Sequence, residues 1–340
     1  MKIVIDKRIP GLEEGIREIM PEAEITALEG AEISALHVRD ADALIVRTRT
    51  RCDASLLAGS SVRFVGTATI GTDHIDMEWC RKNGIRVESA PGCNAPAVMQ
   101  YVASALLMAG FKPGTDTLGV IGKGNIGSLV AGLYRQAGTE VLVCDPPRKE
   151  TGFSDELYLP FEEVLERSDA VTFHVPLSTA CPYPTRHLLR NLPGRPRIIV
   201  NASRGPVIDP MVIHRYCTDK RFVIDTWPFE EEPQMFSGQS RDELIGKAFI
   251  ATPHIAGYSI EGKRRATSAM LRALAGQFCV GTPEERITAT SDASERPFPY
   301  RLEDVVESFN PLALSEALKA NPDNFELLRS RHLRPEPKSR

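Results

Sequence analysis

The chain has 340 residues, 42% of them hydrophobic, which is enough for a sizeable core and too long for one ordinary domain, so two domains are expected. A net charge of −4 and a pI near 6.0 give no general attraction to phosphate polymers or anionic lipid, so nucleic acid and membrane surfaces are set aside as main partners and small molecules favoured. The longest strongly apolar stretch, residues 101–111, falls well short of the ~20 residues of a bilayer crossing, and seven scattered cysteines lack any C-x-x-C pair. No leader, membrane span, disulfide or metal site is expected, and the setting reads as cytoplasmic.

In chain order, short β-branched runs fall at residues 3–5, 43–46 and 64–67, separated by helical stretches. Pro91-Gly92 then precedes a long apolar helix over 95–110, and six more runs follow at 119–121, 141–144, 170–173, 198–201, 222–225 and 249–252. This rhythm predicts parallel sheets covered by helices on both faces, with a boundary at 92–110. After His254 come a helix over 260–279, a polar linker over 282–296, renewed helical spacing over 302–328 and a basic, frayed tail.

The fourth run leads into Gly122-Lys123-Gly124-Asn125-Ile126-Gly127 and then a helix, the context that gives G-x-G-x-x-G its meaning. Gly122 permits the tight turn, Gly124 lets backbone approach a pyrophosphate, and Gly127 lets helix and strand pack closely. The phosphates are expected on the helix N-terminus, where Asn125 and Ile126 stand and unpaired N–H groups favour negative charge. The next run ends in Asp145, whose carboxylate can accept hydrogen bonds from a ribose and repels a 2′-phosphate, so NAD is expected rather than NADP; Arg148 nearby complicates that preference.

Three features end later runs, where ligands gather in such sheets. Asn201-Ala202-Ser203-Arg204-Gly205 offers an arginine able to grip a substrate carboxylate. Pro253-His254-Ile255-Ala256-Gly257 offers an imidazole able to take a hydroxyl proton, and the acids after Trp227 offer a carboxylate to support it. Taken singly, Arg204 reads as a surface ion pair, His254 as a cap and Glu230-Glu231-Glu232 as a solvated run; together, downstream of a nucleotide motif, they read as a site.

These residues resemble the D-2-hydroxyacid dehydrogenase family, whose cofactor domain carries G-x-G-x-x-G, an Arg in N-A-x-R-G, a Glu after D-V-W/F and a His in H-I-A-G. The resemblance implies two Rossmann-like doubly wound domains with parallel sheets: a substrate domain of residues 1–92 with 258–281, an NAD-binding domain of 93–257, and a short C-terminal dimerisation segment of 282–340. It implies that Arg204 orients the carboxylate, His254 is the acid/base and a Glu supports it. The spacing here is stretched to D-T-W-P-F-E-E-E-P: counting from Asp225 selects Glu230, which is favoured, and counting back from Pro233 selects Glu232.

Within the family, residues 64–76, 90–95, 144–148 and 254–263 are similar to the members that oxidise 4-phospho-D-erythronate with NAD to the 2-oxo acid in vitamin B6 synthesis. That similarity implies Thr48, Thr69 and Tyr258 at the substrate, and Asp145, Val175, Asp225 and Gly257 at the cofactor. It also implies a homodimer held by residues 311–334, a segment shorter than usual. Arg47, Arg49 and Arg51 follow the second run, and on an extended backbone they share one face, so Arg47 and Arg51 are expected to grip a substrate phosphate. Other readings are a basic edge that discourages strand pairing, a dehydrogenase for 3-phosphoglycerate or another 2-keto acid, and an NAD-sensing corepressor-like binding protein.

Overall fold

A computed structural model describes residues 1–152, 156–192, 194–278 and 299–338; the linker expected at 282–296 lies outside them. The strands are β1 (Lys2–Asp6), β2 (Glu24–Leu28), β3 (Ala43–Val46), β4 (Phe64–Thr67), β5 (Arg86–Glu88), β6 (Leu118–Ile121), β7 (Val141–Cys144), β8 (Ala170–Phe173), β9 (Ile198–Asn201), β10 (Arg221–Ile224) and β11 (Ile250–Ala251). They form two all-parallel sheets, ordered β2-β1-β3-β4-β5 and β11-β10-β9-β8-β6-β7. Both are parallel, as the alternating runs predict, and Rossmann-like, as the resemblance implies.

The chain divides into two compact units, Met1–Asn94 with Ser259–Glu295, and Ala95–Tyr258 with Arg296–Arg340. In the first, β1, β3 and β4 are buried almost throughout, and Ile3, Ile5, Ile45 and Phe64 pack with Met270 and Leu274 of the helix Ile260–Phe278. Apolar side chains on both faces of a strand are what a sheet covered on both sides requires. Two strands escaped the sequence pattern, β2 and β5. Both are sheet edges, where one side is solvated; β2 reads Glu-Ile-Thr-Ala-Leu with no fully buried residue, so no apolar run marks it.

In the second unit the helix Ala95–Met108 is buried nearly all round, as a core helix must be. It packs against the helices Asn125–Gln136 and Leu302–Glu307. The spacing at 302–328 resolves into three helices, Leu302–Glu307, Leu312–Ala320 and Phe325–Arg331. These C-terminal helices join the core of the second unit: Val305 is fully buried, and Leu318 and Phe325 pack in the cluster that holds Trp227. The tail after them is not frayed. Arg334 is 5% exposed, because its guanidinium meets the carbonyls of Ala97, Ile255 and Ala256 at 2.8, 2.8 and 2.6 Å.

Candidate active site

In both sheets the residues singled out from the sequence stand at the carboxyl ends of strands, where helix N-termini and loop amides converge. Gly122 follows β6 with φ 89°, and a Cβ there would stand 2.6 Å from the His174 carbonyl oxygen and 2.9 Å from a Val175 methyl. At Gly127 a Cβ would collide with the Gly122 carbonyl, so the helix Asn125–Gln136 lies against the turn as closely as backbone permits. Gly124, its N-cap, faces open space. The loop thus offers unpaired amides around Asn125 and Ile126 with room for an anion, the fit a pyrophosphate needs.

Asp145 ends β7 beside this loop. One carboxylate oxygen accepts the Lys123 N–H at 2.7 Å and the other the Arg148 N–H at 3.1 Å, which caps the helix Pro146–Thr151. The Lys123 ammonium pairs with Glu156, which also binds Arg135. Its charge is therefore spent within the fold, and the loop presents backbone. The Arg148 guanidinium stands 4.0 Å from Asp145, close enough to offset part of the acid's negative field.

Arg204, Glu230 and His254 follow three adjacent strands, β9, β10 and β11. Asn201 shapes the first turn: its Oδ1 accepts from the Ser203 N–H and hydroxyl, and its Nδ2 donates to the Arg204 carbonyl. Gly205 then packs directly on the backbone of Trp227, where any Cβ would clash. Trp227 is fully buried and donates Nε1–H to the Thr252 carbonyl at 2.8 Å, tying β10's end to β11's. Pro228 opens the helix Pro228–Glu231, whose third residue, Glu230, turns back so that Oε2 accepts the Trp227 N–H at 2.9 Å.

The same turn delivers Glu230 Oε1 to His254 Nδ1 at 2.8 Å. Glu232 points elsewhere and pairs with Arg186, so the carboxylate on the imidazole is Glu230. His254 adopts φ 56°, a left-handed backbone that an L side chain occupies only when its surroundings hold it there. Asp225 does the holding. It is 1% exposed; its carbonyl accepts the His254 N–H at 2.8 Å, and its carboxylate accepts the N–H groups of Ile255 and Ala256 and the Thr252 hydroxyl at 2.8, 2.9 and 2.7 Å. Both carboxylate oxygens, expected beside a cofactor, are engaged in fixing this turn.

Burial opposes a charged imidazole, yet the charge and hydrogen bond of Glu230, with Asp225 behind, outweigh it and raise the His254 pKa. Burial likewise works to raise Glu230, but the charge and hydrogen bond of His254, then Arg329 and the Trp227 amide, hold it below the usual carboxylate range. Glu231 reaches solvent, yet desolvation of its carboxyl and the charge of Glu230 push it up to about 7, against the pull of His254 and Arg204. With Nδ1–H given to Glu230, Nε2 is left to exchange a proton with a substrate hydroxyl.

Two arginines were missed in the sequence. Arg329, on the helix Phe325–Arg331, donates Nε–H to the Tyr258 hydroxyl at 3.0 Å and reaches Glu230 Oε1 at 3.4 Å. Arg334 holds the turn of His254 from below through the Ile255, Ala256 and Tyr258 carbonyls. Neither lies in a run or motif, and partners about 70 to 100 residues away are invisible to spacing.

In the first unit, residues 47–50 do not stay extended. The Thr50 N–H turns back to the Arg47 carbonyl at 3.3 Å while its hydroxyl donates to the Gly30 carbonyl at 2.7 Å, so the three arginines do not share a strand face. Arg47 lies on Asp6, fully buried at the end of β1, with N···O distances of 2.9 and 3.3 Å; Arg51, 82% exposed, pairs with Asp53 at 2.6 Å. Thr48 is exposed. Thr69, beyond β4, bonds Thr67 at 2.7 Å and donates to the Gly71 carbonyl. Burial, and then the charge of Arg47, lower the pKa of Lys263 on the helix Ile260–Phe278, so two cations face one another in this unit.

The match to the family model for the D-isomer specific 2-hydroxyacid dehydrogenase catalytic domain runs over residues 6–310. The chain belongs to that family. It is 40% identical to an erythronate-4-phosphate dehydrogenase of Bacteroides fragilis over 342 aligned positions, covering 97% of this chain and 95% of that protein. It is 41% identical to the enzyme of that name from Chromohalobacter salexigens, covering 82% and 73%. Among solved structures, it is similar to NAD+-bound 3-phosphoglycerate dehydrogenase of Entamoeba histolytica, with a TM-score of 0.65, 27% identity and 84% and 97% of the two chains covered. This D-2-hydroxyacid dehydrogenase is therefore an NAD-dependent oxidoreductase. Among the described residues no helix is long and apolar enough to cross a membrane, and no group of three His, Cys, Asp or Glu side chains is placed to hold a metal.

Proposed function

We propose that the chain oxidises 4-phospho-D-erythronate to 2-oxo-3-hydroxy-4-phosphobutanoate with NAD, a step of vitamin B6 synthesis. The observation that carries the chemistry is the 2.8 Å bond from His254 Nδ1 to Glu230, which leaves Nε2 as the nitrogen to act as base. The substrate is supported by the 40% identity over nearly the whole chain to a protein named for it. When bound, NAD supplies the acceptor for the hydride leaving C2. The amides of Gly124, Asn125 and Ile126 would hold its pyrophosphate and Asp145 its ribose, with Val175 and Gly257 lining the site. Arg204 grips the carboxylate and polarises the C2 oxygen. His254 Nε2 takes the hydroxyl proton, and Glu230 stabilises the imidazolium that forms.

Thr48, Thr69 and Tyr258 contact substrate, and Arg47 with Lys263 supplies the positive charge for the 4-phosphate. The protein acts as a homodimer in the cytoplasm; free thiols at Cys52, Cys80, Cys93, Cys144, Cys181 and Cys217 suit a reducing compartment. The deciding experiment measures NADH formation with 4-phosphoerythronate, 3-phosphoglycerate and D-lactate, with a 2-keto acid present to reoxidise retained NADH. Highest kcat/KM with 4-phosphoerythronate supports the assignment. Preference for 3-phosphoglycerate, the substrate named for the Entamoeba histolytica structure, overturns it.

A further inference from the structure

The C-terminal helix Phe325–Arg331 carries a cation to the carboxylate that serves His254. Arg329 is largely withdrawn from solvent, with 23% of its side chain exposed. Its Nε–H meets the Tyr258 hydroxyl at 3.0 Å, its Nη1 lies 3.4 Å from both Glu230 Oε1 and Glu326 Oε1, and its guanidinium stands 5.9 Å from the centre of the Tyr258 ring. Glu230 Oε1 is thus shared: the imidazole approaches at 2.8 Å and the guanidinium at 3.4 Å, while Oε2 is occupied by the Trp227 amide. A carboxylate held from three directions has one orientation, and that orientation aims the imidazole.

We propose that Arg329 is a positioning residue of the dehydrogenase reaction, which fixes Glu230 and Tyr258 and sets how strongly Glu230 acts on His254. This rests on the reading of His254 as the proton acceptor. The physical argument is competition for one oxygen. A cation on Oε1 neutralises part of the charge that would otherwise stabilise imidazolium, so His254 stays less basic than Glu230 alone would make it. The other charges facing the imidazole are Glu231 from the same short helix as Glu230, Asp225 from the end of β10, and Arg204, which acts on Glu231 from the end of β9. Only Arg329 reaches the shared oxygen from the C-terminal segment among the described residues. The helix presenting it is anchored by Phe325, which packs edge-on against Phe229 beside Glu230, with ring centroids 5.6 Å apart.

The test compares Arg329→Lys, Arg329→Gln and Arg329→Met. Each is measured twice: by the pH profile of alcohol oxidation, and by NMR titration of His254 in the free protein, assigned with His254→Gln. Losing the cation in Gln and Met should move the His254 midpoint and the kcat limb together to higher pH by about 0.5–1 unit, a three- to tenfold loss of oxidation rate at neutral pH. Arg329→Lys should retain most of the wild-type profile. A Met variant that does not fold leaves the decision to Gln, which keeps a donor for Tyr258 without charge. Unchanged midpoints in Gln and Met, or an equal loss in all three variants with no shift in pH, would overturn the role of Arg329. The free-protein titration uses no substrate, so it judges Arg329 even if the wild-type chain oxidises no hydroxy acid, a result that would sink the reaction assignment instead.

Discussion

His254 is held in a left-handed backbone by Asp225 and has its pKa raised chiefly by Glu230. The sign for catalysis follows. Oxidation needs neutral imidazole, so its rate should climb as pH rises through the raised value; reduction of the 2-oxo acid needs imidazolium and should decline over the same range. Replacing Glu230 with Gln removes the charge that raises His254, so the oxidation limb should move to lower pH while the maximal rate falls, by loss of imidazolium stabilisation. His254→Ala should lower kcat by roughly 10²–10⁴-fold. Stopped-flow NADH absorbance across pH checks all three, and a His254→Ala variant with near-normal turnover removes the residue from the mechanism.

Arg47 offers a second test among single residues. Asp6 beneath it is fully buried, so Arg47→Met leaves a carboxylate without its ion partner. The expected cost is about 2–3 kcal/mol, less than the ~3–5 of a fully buried pair because 34% of the Arg47 side chain is exposed. Asp6→Asn/Arg47→Met should recover most of that stability in urea, yet still raise KM for the phosphorylated acid far more than for an unphosphorylated analogue. Arg51→Gln should change little, since Arg51 is 82% exposed and paired with its neighbour Asp53. An equal KM effect on both substrates in the double variant would refute the phosphate role.

Among the elements, the β6–helix junction depends on backbone meeting backbone. Gly127→Ala places a methyl on the Gly122 carbonyl, so helix and strand must part. About 1–3 kcal/mol of stability should go, as for other overpacked contacts, with a more than tenfold weaker NADH affinity by fluorescence titration. Wild-type affinity in that variant would show that the tight turn does not serve the cofactor. This junction was legible in the sequence because each glycine answers a local demand on the chain. The arginine turn after β3 was not: whether residues 47–50 extend or turn is decided by Gly30, whose carbonyl takes the Thr50 hydroxyl, and by Asp6, which takes Arg47. Edge strands β2 and β5 were hidden for another local reason, since half-solvated strands need no continuous apolar face.

At the scale of the whole molecule, the last forty residues change meaning. Read as a dimerisation segment with a frayed basic tail, they carry Arg329 onto Glu230, and the tail is not frayed, because Arg334 is buried in the second unit. Arg334 satisfies backbone carbonyls of Ala97, Ile255 and Ala256 and the Gln100 side chain, and packs 4.2 Å from the centre of the Phe309 ring. Arg334→Met should strip those acceptors of their donor at a cost of about 3–5 kcal/mol, each buried orphan contributing ~1–3. Because the turn it braces carries His254, kcat should decline with stability. Chemical denaturation beside activity checks the pairing: a large stability loss with unchanged kcat would mean that Arg334 braces the core without bracing the site.

The sequence by itself determined the strand–helix alternation, the glycine turn, Asp145 at the end of its strand, and the order Arg204, Glu230, His254, because each is written in neighbouring residues whose chemistry acts over a few ångströms of chain. Counting from the strand end also selected Glu230, since Pro228 and the Trp227 amide fix that register locally. Tertiary structure alone decided what surrounds those groups: Asp225 spent on a turn, Arg47 laid against Asp6, and two arginines from the far end of the chain set against the carboxylate and the turn. Those pairings join residues 31 to 99 positions apart, and only a folded core brings such groups within the roughly three ångströms over which hydrogen bonds and charges choose their partners.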